Sequence, residues 1–337
     1  MPLTVLVTVP ATVPVPGGAS RRQNRWMPPL SLLFAGSPAA AVPSLRALAL
    51  SGHTVAAVLT RADSPQGRKA VVTPTPVALA AGELGVPIIK ANRLGDAATA
   101  AVGELQPDLG VIVAYGGLVR EPLLSTPRLG WINLHFSLLP RWRGAAPVQR
   151  AIIAGDQVTG AVVFQLVAEL DAGTVYGTLT RPIGAAETAG EVLDALSQSG
   201  ARLLVDVVDQ LANGSALGQP QVGEVTLAPK LTLDDGRIDW FRDAADVSGQ
   251  IRGVTPEPGA FTVVDGARLK LLEATAFTDA EVPRLQPGTL HLAGKSLLAG
   301  TATDPIRLVT VQPAGRKAMA AADWWRGRPA GSGDIAE

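Results

Sequence analysis

Residues 131–147 read Trp-Ile-Asn-Leu-His-Phe-Ser-Leu-Leu-Pro-Arg-Trp-Arg-Gly-Ala-Ala-Pro. The stretch begins as the end of an apolar strand starting at Gly130, and Gly144 releases it into a helix near 145–154. Asn133 and His135 interrupt the apolar run two residues apart, so in an extended chain their side chains share one face. Strands of the same apolar kind surround this segment: Leu30 to Ala35, Thr54 to Thr60, Val86 to Ile89, Leu109 to Ala114 and Gly160 to Leu166. Between them, helical spacing predicts helices over 39–51, 77–84 and 96–105. Apolar strands alternating with helices imply a mostly parallel sheet covered on both faces. Such sheets place ligands at the carboxyl ends of their strands, which is where Asn133 and His135 fall.

Further along, Thr188 and Glu191 have capping-box spacing and open a long helix to about Ala212. Residues 213–230 are rich in Gly and Pro without a sustained period and read as a linker. Beyond it come a short helix at 243–252 and strands at 259–264 and 267–273, joined by the hairpin signal Asp265-Gly266. More short apolar runs follow near 288–293, 296–302 and 305–312. This second region, 231–330, reads as a small antiparallel barrel. At the other end, residues 1–26 carry Pro2, Pro10, Pro14 and Pro16, which oppose a stable helix. Their cationic residues Arg21, Arg22 and Arg25 follow the apolar part rather than precede it, the wrong order for a secretory leader. They read as a disordered extension, with the first domain spanning 27–212.

The 337 residues hold 29 Lys+Arg and 29 Asp+Glu. This balance argues against binding nucleic acid by bulk charge, though not against a local basic patch. The region 229–337 is also balanced, with 13 basic and 14 acidic side chains. The absence of cysteine removes disulfides, thiolate metal sites and cysteine nucleophiles. No run of about 18 apolar residues suggests a membrane span. With only His53, His135 and His291 present, there is little scope for a multi-histidine metal site, and any imidazole chemistry falls to one of three residues.

An amide beside an imidazole suits stabilisation of a developing oxyanion together with proton transfer. The alternative is a satisfied core histidine with an asparagine capping a turn. Asp171, in Glu169-Leu170-Asp171-Ala172-Gly173, can approach the end of the preceding strand and there favour a charged His135. It also fits an ordinary turn aspartate, and Glu169 is a rival carboxylate. The turn Ser137 to Pro140 exposes backbone groups able to read a planar ligand. Arg141 and Arg143 suit either a solvated face or an anion contact. A long loop over 61–76 carries Arg61, Arg68 and Lys69 and is a candidate for phosphate-backbone contact.

Asn133 to Gln149 (NLHFSLLPRWRGAAPVQ), followed by Leu170 to Gly173 (LDAG), resembles the folate-dependent formyltransferases. So do LLFAGSP (32–38), TPTPV (73–77) and VIVAYG (111–116). Within the family, DGRIDW (235–240), TPEPGAFT (255–262) and VQPAGRK (311–317) favour the branch acting on charged initiator tRNA. The resemblance covers roughly Leu30 to Arg326. It implies a Rossmann-like domain followed by an OB-like barrel. It also implies formyl transfer from 10-formyltetrahydrofolate to the amino group of methionyl initiator tRNA, with no metal, by a cytoplasmic monomer. It carries Asn133, His135 and Asp171 over as catalytic residues. Ser137, Leu138, Leu139 and Pro140 are placed at the folate, and Arg68, Lys69 and the barrel at the tRNA. The family's Gly-Arg-Gly loop followed by two basic residues is here Gly67-Arg68-Lys69-Ala70-Val71, and Glu169 stands where many relatives have glycine. The first 26 residues have no counterpart.

Overall fold

Leu32, Phe34, Leu33 and Ala35 alternate along one strand, yet all four are buried, which requires cover on both faces. A computed structural model, describing residues 28–67, 70–277, 284–329 and 331–337, shows that cover. The extension expected over 1–26 lies outside the described residues, as do Arg68 and Lys69. Seven strands form the main sheet: Ser31–Gly36 (β1), Thr54–Thr60 (β2), Ile88–Lys90 (β3), Leu109–Val113 (β4), Trp131–His135 (β5), Val158–Gln165 (β6) and Val175–Pro182 (β7). Their order is β7-β6-β5-β4-β1-β2-β3. The strands β5 to β3 run parallel, while β6 is antiparallel to both its neighbours. The strand order therefore reverses between β1 and β4, and the crevice outside their carboxyl ends is where this class of sheet binds ligands.

Helices Val42–Ala49 (α1), Pro76–Glu83 (α2) and Ala189–Ala212 (α5) cover one face, packing Leu45, Ala80, Leu196 and Leu204 against Leu32, Phe34, Ile132 and Leu134. Helix Asp96–Leu105 (α3) covers the other face, with Val102 beside Leu33, Ile112 and Trp131. Trp131 lies over Gly110, where an added Cβ would meet its ring at 2.1 Å. The full capping box at Thr188 and Glu191 starts α5. Helix Pro147–Ile153 (α4) follows the polar turn.

The second region is an antiparallel sheet of Ala260–Val264 (β8), Ala267–Ala276 (β9), Leu290–Ala293 (β10), Ser296–Ala299 (β11) and Ile306–Pro313 (β12), in the order β8-β9-β12-β11-β10. Asp265 and Gly266 both adopt positive φ, as the tight hairpin turn requires. The sheet curls around Trp240, Val247, Leu269, Leu297 and Leu308. Its two edges are joined by the C-terminal segment, in which Ile335 bridges Thr289 and Ala336 bridges Val264. The barrel thus extends past residue 330, where the sequence reading ended it. Helix Ala244–Gly253 (α6) packs on α4, Gly253 approaching Ile153 so closely that a Cβ would sit 2.5 Å from its side chain.

Two sequence expectations change. The 61–76 loop is not free of structure, for Ser64–Gln66 pairs with Val71–Thr73 as a short hairpin. The 213–230 linker has no helix or strand period, but it is laid along the first domain and bonded to it, as described below.

Candidate functional site

The carboxyl ends of β4 and β5 form one side of a cleft of about 570 Å³. Its walls include Pro38 after β1, residues 114–119 after β4, Asn133 to Phe136, and residues 166–171 after β6. The β5 register places Asn133 beside Ile112 of β4 and Phe164 of β6, and His135 beside Val162. Both side chains emerge on the face that Trp131 occupies deeper in the core. The Asn133 side chain is half-buried and makes no hydrogen bond among the described residues, so its amide protons are free for a ligand.

His135 is buried, and its surroundings are built by two turns. Its Nε2–H donates to the carbonyl of Trp142 at 2.9 Å. That carbonyl is aimed by a left-handed backbone at Trp142 (φ 63), an uncommon and strained state for so bulky a residue. The Trp142 indole is held by Asp156 at 2.7 Å. On the other side, Nδ1 stands 3.8 Å from Asp171 Oδ2, beyond hydrogen-bond reach. Asp171 is itself buried, left-handed (φ 46), and fixed by the Gly144 N–H at 2.8 Å. Gly173 presses the same turn onto β6, since a Cβ there would lie 1.6 Å from the Gln165 carbonyl oxygen.

Burial lowers the pKa of His135 from its ordinary value; Asp171 and the Trp142 carbonyl pull it upward without prevailing. The imidazole is therefore neutral at neutral pH, and its bond to the Trp142 carbonyl leaves the lone pair on Nδ1. Asp171 does favour the charged form of His135, as the sequence suggests, but burial outweighs it. Desolvation of the ring, set by depth, outweighs one carboxylate 3.8 Å away.

Asn133, His135 and Asp171 thus come together, while the turn after them does not join their cleft by its side chains. Ser137 is fully buried, its hydroxyl donating to the Arg141 carbonyl at 2.7 Å. Leu138 faces a separate hollow with Trp142 and Asp156. Leu139 is half-buried, and Pro140 packs near Gly223. The rival carboxylate Glu169 also lines the cleft, and Arg143 pairs with it at 3.3 Å. Arg141 is bound to Asp156 on the outside. Sequence reading passed over Lys230 and residues 116–119 as cleft walls, although VIVAYG marked the strand end leading to the latter. Arg61, read only as part of the basic loop, also lines the cleft.

The family model for formyl transferase matches residues 31–208, and that for the formyl transferase C-terminal domain matches 230–329. The chain is 60% identical over 298 residues to the methionyl-tRNA formyltransferase of Clavibacter sepedonicus, covering 88% of this chain and 97% of that one. It is 50% identical to the enzyme of the same name from Acidothermus cellulolyticus, again covering 88% and 97%. The chain belongs to the methionyl-tRNA formyltransferase family. Solved structures share the family fold at low identity. The N-formyltransferase from Helicobacter canadensis, in complex with folinic acid and dTDP-3-aminofucose, superposes with a TM-score of 0.64 at 14% identity, covering 84% of this chain and 99% of that one. HypX from Aquifex aeolicus, in complex with tetrahydrofolic acid, does so with a TM-score of 0.59 at 17% identity, covering 88% and 47%. Against this family background, the convergence of Asn133, His135 and Asp171 is an arrangement suited to acyl transfer.

Proposed function

We propose that the chain transfers the formyl group of 10-formyltetrahydrofolate to the amino group of methionyl initiator tRNA, giving N-formylmethionyl-tRNA. The observation that carries the reading is an unpartnered amide and a neutral imidazole, backed by a carboxylate, at one cleft in a chain of this family. A cleft of about 570 Å³ is in the range for a ligand the size of a folate head group.

The acceptor amine attacks the formyl carbon, and Asn133 donates to the developing oxyanion. Nδ1 of His135 takes the amine proton, and Asp171 stabilises the imidazolium formed. The new C–N bond is then kept, the bond to the folate nitrogen breaks, and His135 returns the proton to that leaving nitrogen. The Ser137–Pro140 turn meets the folate through backbone groups. Arg68 and Lys69, with the second domain, engage the tRNA; Arg61 and Lys230 line the cleft itself and suit its anionic substrates. The protein works as a monomer in the cytoplasm.

The test is a formyl-transfer assay with methionyl initiator tRNA, free methionine and an amino sugar nucleotide as acceptors. Transfer to the charged tRNA alone supports the reading; transfer to the sugar nucleotide in its place overturns it. Arg68→Ala is expected to flatten the salt dependence of tRNA binding by about one phosphate contact. An unchanged slope would return Arg68 to a solvated loop.

A further inference from the structure

The segment joining the two domains is bonded to both turns that build the histidine site. Gln219 exchanges two backbone hydrogen bonds with Val175, each 2.8 Å. Two residues on, Gln221 Nε2 donates to the carbonyls of Asp171 (2.8 Å) and Gly173 (3.0 Å), while its Oε1 accepts from Arg143 Nη2 at 2.7 Å. Thr226 then accepts from Trp142 N–H through its hydroxyl at 2.9 Å and from Arg143 N–H through its carbonyl at 2.9 Å. Leu227–Ala228 pairs in parallel with Arg143–Gly144. Few side chains here are buried for their own sake: Val222, Val225 and Leu227 are exposed. Hydrogen bonding, not apolar burial, holds this strap in place.

We propose that Gln221 is a positioning residue for formyl transfer, acting through Asp171. Its amide spans the Asp171 turn from behind, binding the carbonyls on either side of Ala172, and ties that turn to Arg143. No other side chain among the described residues hydrogen-bonds either of these carbonyls. With Gln221 in place, Asp171 Oδ2 is held between the Gly144 N–H and His135 Nδ1. Without it the turn relaxes, the carboxylate recedes from the imidazole, and the imidazolium formed during transfer loses its counter-charge. The inference rests on the reading of Asn133, His135 and Asp171 as the reacting set.

The experiment compares Gln221→Met, Gln221→Glu, Asp171→Asn and the Gln221→Met/Asp171→Asn double variant in formyl transfer to methionyl initiator tRNA. Gln221→Met keeps the side-chain length and removes both polar ends. Gln221→Glu keeps the acceptor for Arg143 and removes the donor to the two carbonyls. Both single changes at 221 are expected to lower kcat roughly 10- to 100-fold, the scale of a small misplacement at a reacting centre, with KM for tRNA within about two-fold. Because Asp171 raises the affinity of His135 for protons, Gln221→Met should move the acidic limb of the kcat profile to lower pH, in the direction of Asp171→Asn. The charged groups facing or lining this site besides Asp171 are Glu169, Arg143, Arg61 and Lys230, and none is altered. In the Asp171→Asn background, Gln221→Met should cost less than about three-fold more, the non-additivity expected of residues acting as a unit. Equal losses in both backgrounds would overturn the proposal, as would wild-type turnover in Gln221→Glu, which would make the tie to Arg143 the only relevant one. A normal rate in Asp171→Asn would instead remove the reading of the site itself, and this inference with it.

Discussion

His53 and His135 are alike by the usual criteria: each is about 6% exposed and each has an aspartate nearby. They sit at opposite ends of the sheet and do opposite things. His53, just before β2, accepts the Leu30 N–H on Nδ1 at 3.1 Å and meets Asp209 of α5 through Nε2 at 2.9 Å. Both nitrogens are occupied, and the ring stitches the start of β1 to the long helix. His135 satisfies one nitrogen on a backbone carbonyl and keeps the other 3.8 Å from its carboxylate, at the wall of a cleft. Burial and a nearby acid therefore do not by themselves single out the histidine proposed to react. What distinguishes it is one uncommitted atom where a substrate can reach it.

The contrast breaks most visibly in turnover. His135→Gln and Asn133→Ala should each lower kcat by roughly 10²–10³-fold, the loss typical of an oxyanion or proton-transfer group, with melting temperature nearly unchanged. Single-turnover rates would show it, and a near-normal rate in either variant would remove that residue from the chemistry. Next comes Asp171→Asn. With the carboxylate gone, the buried imidazole gives up its proton still more readily, so the limb where activity rises with pH should shift to lower pH while the plateau falls. A shift upward would mean that Asp171 does not act on His135 through its charge.

His53→Gln should do the reverse of His135→Gln. Loss of one buried and one part-buried hydrogen bond costs about 1–3 kcal/mol of stability, read by denaturant unfolding, while turnover per folded molecule is retained. The smallest effect lies in the pH dependence of folding. Because the native pKa of His135 is depressed, the unfolded chain binds a proton that the native chain refuses as pH falls below about 6.5. Stability should fall through that window by up to about 1.4 kcal/mol per pH unit from this group, and the contribution is absent above it. His135→Gln should flatten the slope; an unchanged slope would place its origin in other groups.

How much of this was legible in the sequence depends on where the order comes from. The parallel strands could be read because burial on both faces makes Leu32 to Ala35 and Leu109 to Val113 unbroken apolar runs. The strand β7 was missed because it is an edge strand, with Tyr176, Thr178, Thr180 and Arg181 among its members and a half-exposed pattern. The hairpin flanking Arg68 was hidden by Pro65 and Gly67, which read as loop. The strap at 219–228 has no period of its own, since its geometry is dictated by partners such as Val175 and Trp142, 44 and 84 residues away. Asn133, His135 and Asp171 were legible as polar interruptions and as a family pattern. The charge state of His135 was not, because desolvation depends on depth, which a linear sequence does not contain.

The strap has a kinetic consequence. The bond from Trp142 N–H to Thr226 closes a separation of 84 residues, and the two parallel pairs beside it close the same span. The sheet and α5 close comparable or longer spans (His53 to Asp209 is 156 residues) but bury apolar surface in return. The strap, with Val222, Val225 and Leu227 exposed, gains little by docking early and comes late in folding. The sheet and α5 can be complete while the Trp142 carbonyl and the Asp171 turn are still unguided. In refolding, recovery of helical signal should therefore precede recovery of turnover, and the interval between them measures the docking of one short, mostly exposed segment. A chain released early from a chaperone would look folded and be idle.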